Sequence, residues 1–527
     1  MQRALSYGTP GSAGIMRPYE RRSDPGPAKK LLYYFVLIFV AAFYGLLCSV
    51  LPMQALVVPL VPILLLAAFA LWLLPSVDTV DYGRIAGFML WYAGMNAIWP
   101  SYIAADVPGL PWITPMRFAL FGMAALFVYT YSVSTCVSST LRSINDTAPV
   151  IKWSFWIFWL STTVTLAFSD AKSDTLIKYF NNQIYWTIMF LAAALLGFDH
   201  KNIAKINNTI KIMVFGAIVS SILAILEFRV ERVIWLDHLP GFLKPNSDIF
   251  DKLDVSNARA GTDAYRVTGH LGNPLYFAEF LAILLPFHID QLVRARGFMR
   301  KSALFLGLVA VVVAVYLTGS RAGMVGLLLA PALYTLLATL RWRNRRPSSL
   351  AAAAILSAYP MVVGLVAALV VFWRRLHVLV IGGGQHQASN EARNIQWSKG
   401  EAVLAAQPFG HGAGQSGIVL GFYNPGHDNY TVDSYYLSLL IDYGVIGFIA
   451  FMMFFATSAF HAGRFYFRTD DENQLILLPI AVAIINFLAV KAVASTESSM
   501  PIVIMLAGFS FGVAARIMKS QPERNQA

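Results

Sequence analysis

The sequence predicts an all-α polytopic membrane protein with about 14 (12–14) transmembrane helices and two long outer loops. Three observations predict it. Of the 527 residues 57% are hydrophobic and only 13% charged, where a soluble domain carries roughly 25% charged residues. Apolar runs of about 20 residues, enough to cross a hydrocarbon core about 30 Å thick, recur from Leu31 to Arg516. Basic residues collect in alternate connections between the runs, as the positive-inside rule requires.

The first 30 residues are polar and hold Arg17, Arg21, Arg22, Lys29 and Lys30. They read as a disordered cytoplasmic tail before a first span that stays in the protein, with no usual cleavable signal. The apolar runs fall at 31–51, 55–74, 84–104, 117–137, 151–168, 183–198, 210–228, 272–293, 303–318, 322–340, 351–373, 435–457, 475–491 and 499–516. With the N-terminus inside, the cytoplasmic connections include those with Arg142 and Lys152; Lys201, Lys205 and Lys211; Arg294, Arg296, Arg300 and Lys301; and Arg341, Arg343, Arg345 and Arg346. Arg464 and Arg468 lie in a further one, and Arg516 and Lys519 also fall inside. A frame shifted by one span breaks this series. The net charge of +12 is therefore a topological signal, and no nucleic-acid partner is expected. Cys48 and Cys136 lie in apolar runs and read as small buried hydrophobes; no disulfide framework, metal or cofactor is expected.

Residues 229–271 and 374–434 form the two long outer loops. Their length and their Trp, Tyr, Phe and His content predict folded functional segments with short helices. An outer surface should be poor in arginine, yet Arg266, Arg321, Arg374, Arg375 and Arg393 all fall there. Arg321 stands in Thr318-Gly319-Ser320-Arg321-Ala322-Gly323, a very short turn between two spans. It either snorkels to headgroups or clamps a phosphate or diphosphate, a task suited to its planar fork. Arg266 opens a turn-rich stretch ending in Gly272-Asn273-Pro274, and Pro274 suits the first turn of a helix. Glu279 follows inside that span, where it pairs with an arginine or lines a cavity. A third polar stretch holds His411, His427, Asp433 and Tyr435 and runs on to Asp442 and Gly447. Asp433 reads either as a base for a sugar hydroxyl or as a helix N-cap. The glycines at 410–414 lack the lysine of a nucleotide-binding loop.

Three patches resemble the O-antigen ligase and O-antigen or exopolysaccharide polymerase superfamily. They are Arg266-x-x-Gly269 with Gly272-Asn273-Pro274; Ser320-Arg321-Ala322-Gly323; and Gly410-x-Gly412 followed by Asp433-Ser434-Tyr435-Tyr436-Leu437 and Asp442-x-Gly444-x-x-Gly447. They span roughly residues 260–450. The resemblance implies a GT-C-like, metal-independent glycosyltransferase acting outside the cytoplasmic membrane on an undecaprenyl-diphosphate-linked oligosaccharide. It further implies catalytic roles for Arg266, Arg321, Asp433 and His427, the arginines stabilising the leaving diphosphate, with inversion at the anomeric carbon. Arg393, Arg375, Glu279, His411, Tyr435 and Asn273 are the expected substrate-binding residues. The family's ligases carry a His-Asn pair where this chain has Asp433-Ser434, and His427 is six residues out of register. That departure favours a repeat-unit polymerase over a ligase. A growing polysaccharide chain, membrane lipids, a chain-length regulator and a flippase are the implied partners. A lipid-linked oligosaccharide transporter is the rival reading, though the internal repeats common in such carriers are not visible.

Overall fold

The computed structural model describes residues 82–524, apart from 106–112, 246–264, 375–376, 379–386, 425–428, 431 and 493–496, with scattered residues before 82. The chain divides into two compact units, residues 1–81 with 126–139 and residues 82–125 with 140–527. The second unit holds the candidate site.

Each expected apolar segment from residue 84 onward contains helix, although 84–104 leaves the helix at Ile98 and enters a short strand at Ile103; the first two lie almost wholly outside the described residues. The helices are α1 (Gly83–Ile98), α2 (Pro115–Val133), α3 (Thr135–Thr147), α4 (Pro149–Val164), α5 (Lys172–Gln183), α6 (Met189–Phe198), α7 (Ile203–Val230), α8 (Pro274–Arg294), α9 (Phe298–Leu317) and α10 (Arg321–Arg345). They continue with α11 (Leu350–Phe372), α12 (Gln387–Ala406), α13 (Ser416–Leu420), α14 (Tyr435–Arg468), α15 (Leu477–Lys491) and α16 (Met500–Arg524). Among the described residues, 10 helices are long and apolar enough to cross a membrane. The α1 helix, at 16 residues, is short for that task. The α5 and α6 helices join through a π-helical turn, Ile184–Ile188. Two small antiparallel ribbons complete the described structure: Ile103–Ala105 with Leu243–Pro245, and Tyr423–Asn424 with Asn429–Tyr430.

Local sequence explains where several helices begin. Asn273, Ser320, Ser349 and Ser434 each accept a backbone N–H in the first turn of the helix that follows. The α14 helix breaks at Gly444, whose φ of 71° and ψ of 179° suit glycine alone. Cys136 corrects the sequence reading. The helix of the expected span 117–137 ends at Val133, and Cys136 lies exposed on the separate, amphipathic α3.

Packing relies on close backbone approach, as helices in lipid require. Gly197 of α6 and Gly508 and Gly512 of α16 face backbone atoms across the seam between the two helices, leaving no room for a side chain. The α8 helix packs against α10 and α15, and α14 lies along α4 and α15. Two ends of this bundle differ in chemistry. At one end Arg341 and Arg345 donate to the Thr469 carbonyl (2.6 and 2.5 Å) and Arg294 donates to the Glu472 carbonyl (3.2 Å). At the other end lie the Arg266 loop, the Arg321 turn and the start of α14.

Candidate active site

The loop carrying Arg266 is fixed by a buried carboxylate. Glu227, near the end of α7, accepts from the Tyr265 hydroxyl (2.9 Å), the Thr268 amide (2.8 Å), the Thr268 hydroxyl (3.1 Å) and the Gly269 amide (3.0 Å). Four donors on one carboxylate offset the cost of burying it. The His270 ring shares a hydrogen bond of 3.0 Å with the Asn96 carbonyl. Burial lowers the His270 imidazole to about 4, so the ring is neutral near pH 7 and its Nε2 donates to that carbonyl. The loop holds Arg266 over the next motif, where its Nε donates to the Thr318 carbonyl at 2.7 Å.

Thr318 begins the turn between α9 and α10, and Gly319 completes it with a φ of +58°. Ser320 caps α10, so Arg321 is its first residue. A helix N-terminus carries partial positive charge, and a cation there is unfavourable unless an anion joins it. Arg321 is also only 8% exposed. The Arg266 side chain lies beside Gly319, two residues away. Two guanidiniums thus meet a helix N-terminus at one turn and concentrate positive charge there.

Asp433 completes the group. It sits immediately before the cap of α14; Ser434, whose hydroxyl accepts the Leu437 amide, is the cap itself. Its backbone amide donates to the buried Gln396 side chain at 2.8 Å. Gln396 lies on α12, and Arg393 lies one turn earlier. Burial raises the Asp433 carboxyl above the ordinary range, while Arg393 and then Arg321 pull it back down. Burial likewise lowers the Arg393 guanidinium, and Asp433 opposes that. Arg321, Arg393 and Asp433 therefore share one electrostatic neighbourhood, although three separate segments supply them.

The glycine motifs are structural. Gly412 donates to the Asp442 carbonyl, and Gly414 and Ser416 donate to the Asp442 carboxylate at 2.9 and 2.7 Å. A Cβ on Gly410 would come within 2.7 Å of the Gly444 amide, and one on Gly444 within 2.5 Å of the Pro408 carbonyl oxygen. The loop thus clasps the break in α14, and only glycines allow the approach. His411 is part of this clasp, its amide donating to the Ile441 carbonyl at 2.9 Å.

Glu279 pairs with a lysine, Lys491, and the expected arginine partner is corrected. The two approach to 2.9 Å with both side chains 0% exposed. The Lys491 ammonium also lies 4.4 Å from the centroid of the Tyr435 ring, which is itself buried. Glu279 and Tyr435 are thereby both buried against Lys491. Asn273 serves as the cap of α8, its side chain accepting the Leu275 amide at 2.8 Å. Arg375 and His427 lie outside the described residues, and Arg374 is exposed beyond α11. Glu227, Gln396, Asp442 and Lys491 were not singled out from sequence as site residues. Glu227 and Lys491 stand in apolar runs, and an ionisable group there is a signal for function or pairing.

Residues 306–452 match the family model described as O-Antigen ligase. The chain carries an O-antigen ligase domain. The match supports a function of the O-antigen ligase or polymerase type in general. No curated protein matches the chain. The O-antigen ligase domain runs from α9 into α14, so Arg321, Arg393 and Asp433 fall within it. Arg266, Glu227, Glu279 and Lys491 are supplied by elements outside it.

Proposed function

We propose that the chain polymerises undecaprenyl-diphosphate-linked oligosaccharide repeat units of an O-antigen or exopolysaccharide at the outer face of the cytoplasmic membrane. The observation that carries the reading is the meeting of Arg321, Arg393 and Asp433 beside an Arg266 anchored on the Thr318 carbonyl. Three guanidiniums near one carboxylate suit a dianionic leaving group on one side and a proton acceptor on the other. The basic connections at the opposite end of the bundle support a cytoplasmic placement for that end and for both termini.

In the proposed reaction an acceptor sugar hydroxyl attacks the anomeric carbon of the donor. The new C–O bond forms as the bond to the diphosphate oxygen breaks, inverting that carbon. Undecaprenyl diphosphate leaves with the bonding electron pair, its charge met by Arg266 and Arg321. The hydroxyl proton passes to the Asp433 carboxylate, with His427 from the same loop as a second candidate. No metal is assigned a role. The Asp433-Ser434 pair, in place of a His-Asn pair, favours polymerisation over transfer to a different acceptor.

Purified protein given a lipid-linked repeat unit should build longer chains on the same lipid. Transfer only to a different acceptor would make the protein a ligase, and intact lipid crossing the bilayer would make it a transporter. The rate of chain growth should fall as pH drops through the raised Asp433 pKa, because protonation removes the base. Arg393→Ala removes a cation that stabilises the ionised carboxylate, so the acid limb should move to higher pH. An acid limb that stays in place in that variant would exclude Asp433 as the base.

A further inference from the structure

A second ionisable cluster lies at the same end of the bundle and takes no part in the chemistry above. Lys178 of α5 and Glu497, between α15 and α16, approach to 3.4 Å, with side chains 37% and 43% exposed. The separation exceeds that of a closed charge-assisted hydrogen bond, roughly 2.7–2.9 Å. The ammonium thus keeps donors, and the carboxylate acceptors, for a third group. Glu497 lies within electrostatic reach of Tyr276, in the first turn of α8, and of Asp442. Lys178 is in reach of Asp442 as well.

The backbone seats this lysine. A Cβ on Gly414 would meet the Lys178 side chain at 2.6 Å, so the glycine clasp leaves the space that the lysine fills. The same glycine donates to Asp442, which ties the lysine's seat to the break in α14. The wholly buried Lys491 of the Glu279 pair lies within electrostatic reach of Glu497. Tyr276 stands three residues past Asn273, on the helix that the Arg266 loop opens, so the cluster flanks the arginine site.

We propose that Lys178, Glu497 and Tyr276 form a saccharide subsite that holds a hydroxyl-rich, uncharged sugar of the incoming acceptor. The assignment rests on the transferase reading given above. A sugar hydroxyl both donates and accepts, so it can contact the ammonium and the carboxylate of this ion pair together. One lysine facing Glu497 and Asp442 repels a diphosphate, whereas the Arg266, Arg321 and Arg393 group attracts it. The two clusters thereby sort the sugar end of a substrate from its phosphate end.

The test uses the full chain in nanodiscs with two separate probes. One is the repeat-unit oligosaccharide freed from lipid and diphosphate; the other is undecaprenyl diphosphate. Glu497→Gln and Lys178→Met should each weaken oligosaccharide binding about tenfold, a loss of about 1.4 kcal/mol, and leave undecaprenyl diphosphate binding unchanged. Arg321→Ala should do the reverse. Wild-type oligosaccharide affinity in both subsite variants would overturn the proposal, as would absence of oligosaccharide binding by the wild type. Undecaprenyl diphosphate that binds wild type and Arg321→Ala equally would instead defeat the transferase reading, and the oligosaccharide measurements would still decide the subsite.

Discussion

Replacing Lys491 with Met should destabilise the protein by about 3–5 kcal/mol, because it leaves the Glu279 carboxylate buried without its partner. Both side chains are 0% exposed, so neither water nor headgroups can take over. The loss should appear as a lower midpoint of denaturation in detergent. Replacing both members, Glu279→Leu with Lys491→Met, should restore most of the stability, since two apolar side chains of similar volume fill the space without a desolvation cost. The double variant then separates stability from activity. The ammonium sits over the Tyr435 ring, two residues after Asp433, so its removal loosens the start of α14. Chain growth should remain below wild type even where the fold recovers. A single variant as stable as wild type would refute the role given to the pair.

Arg321→Ala should lower turnover by about 10²–10³-fold, the effect of deleting one preorganised donor from a developing anion. Membrane insertion and folding should be unchanged, because the cap of α10 is Ser320 and that bond stays. Arg321→Lys should recover only part of the loss; an ammonium keeps the charge without the planar fork that matches two phosphate oxygens. Near-normal turnover in the alanine variant would return Arg321 to a headgroup anchor.

The helices were legible because lipid imposes one period and one length on the chain. Apolar runs and alternating basic connections located each segment from residue 84 onward. The boundary at Val133 was missed because α3 continues the apolar run with a merely amphipathic sequence, and Cys136 was misread with it. In the site, Arg266, Arg321 and Asp433 stand out as ionisable groups at or near apolar boundaries, and Arg393 as an arginine on an outer surface expected to be poor in them. What brings them together was not legible. Glu227 lies 38 residues before Tyr265 and clamps its loop across the gap between α7 and α8. Lys491 lies 212 residues after Glu279, and no local period links the two. The glycines at 410–414 were read as part of a polar site, and their role proved to be the clasp on Gly444. Long-range pairing of this kind is set by helix packing, which a single sequence does not encode in any short window.

The central claim is that one diphosphate is held by Arg266 and Arg321 with Asp433 across from it. The most direct measurement is an experimental structure of the full chain with undecaprenyl diphosphate bound. The account predicts diphosphate oxygens within hydrogen-bond distance, roughly 2.7–3.2 Å, of both guanidiniums, at the first turn of α10. A diphosphate seated instead at Lys178, or at the opposite end beside Arg294 and Arg341, would contradict it.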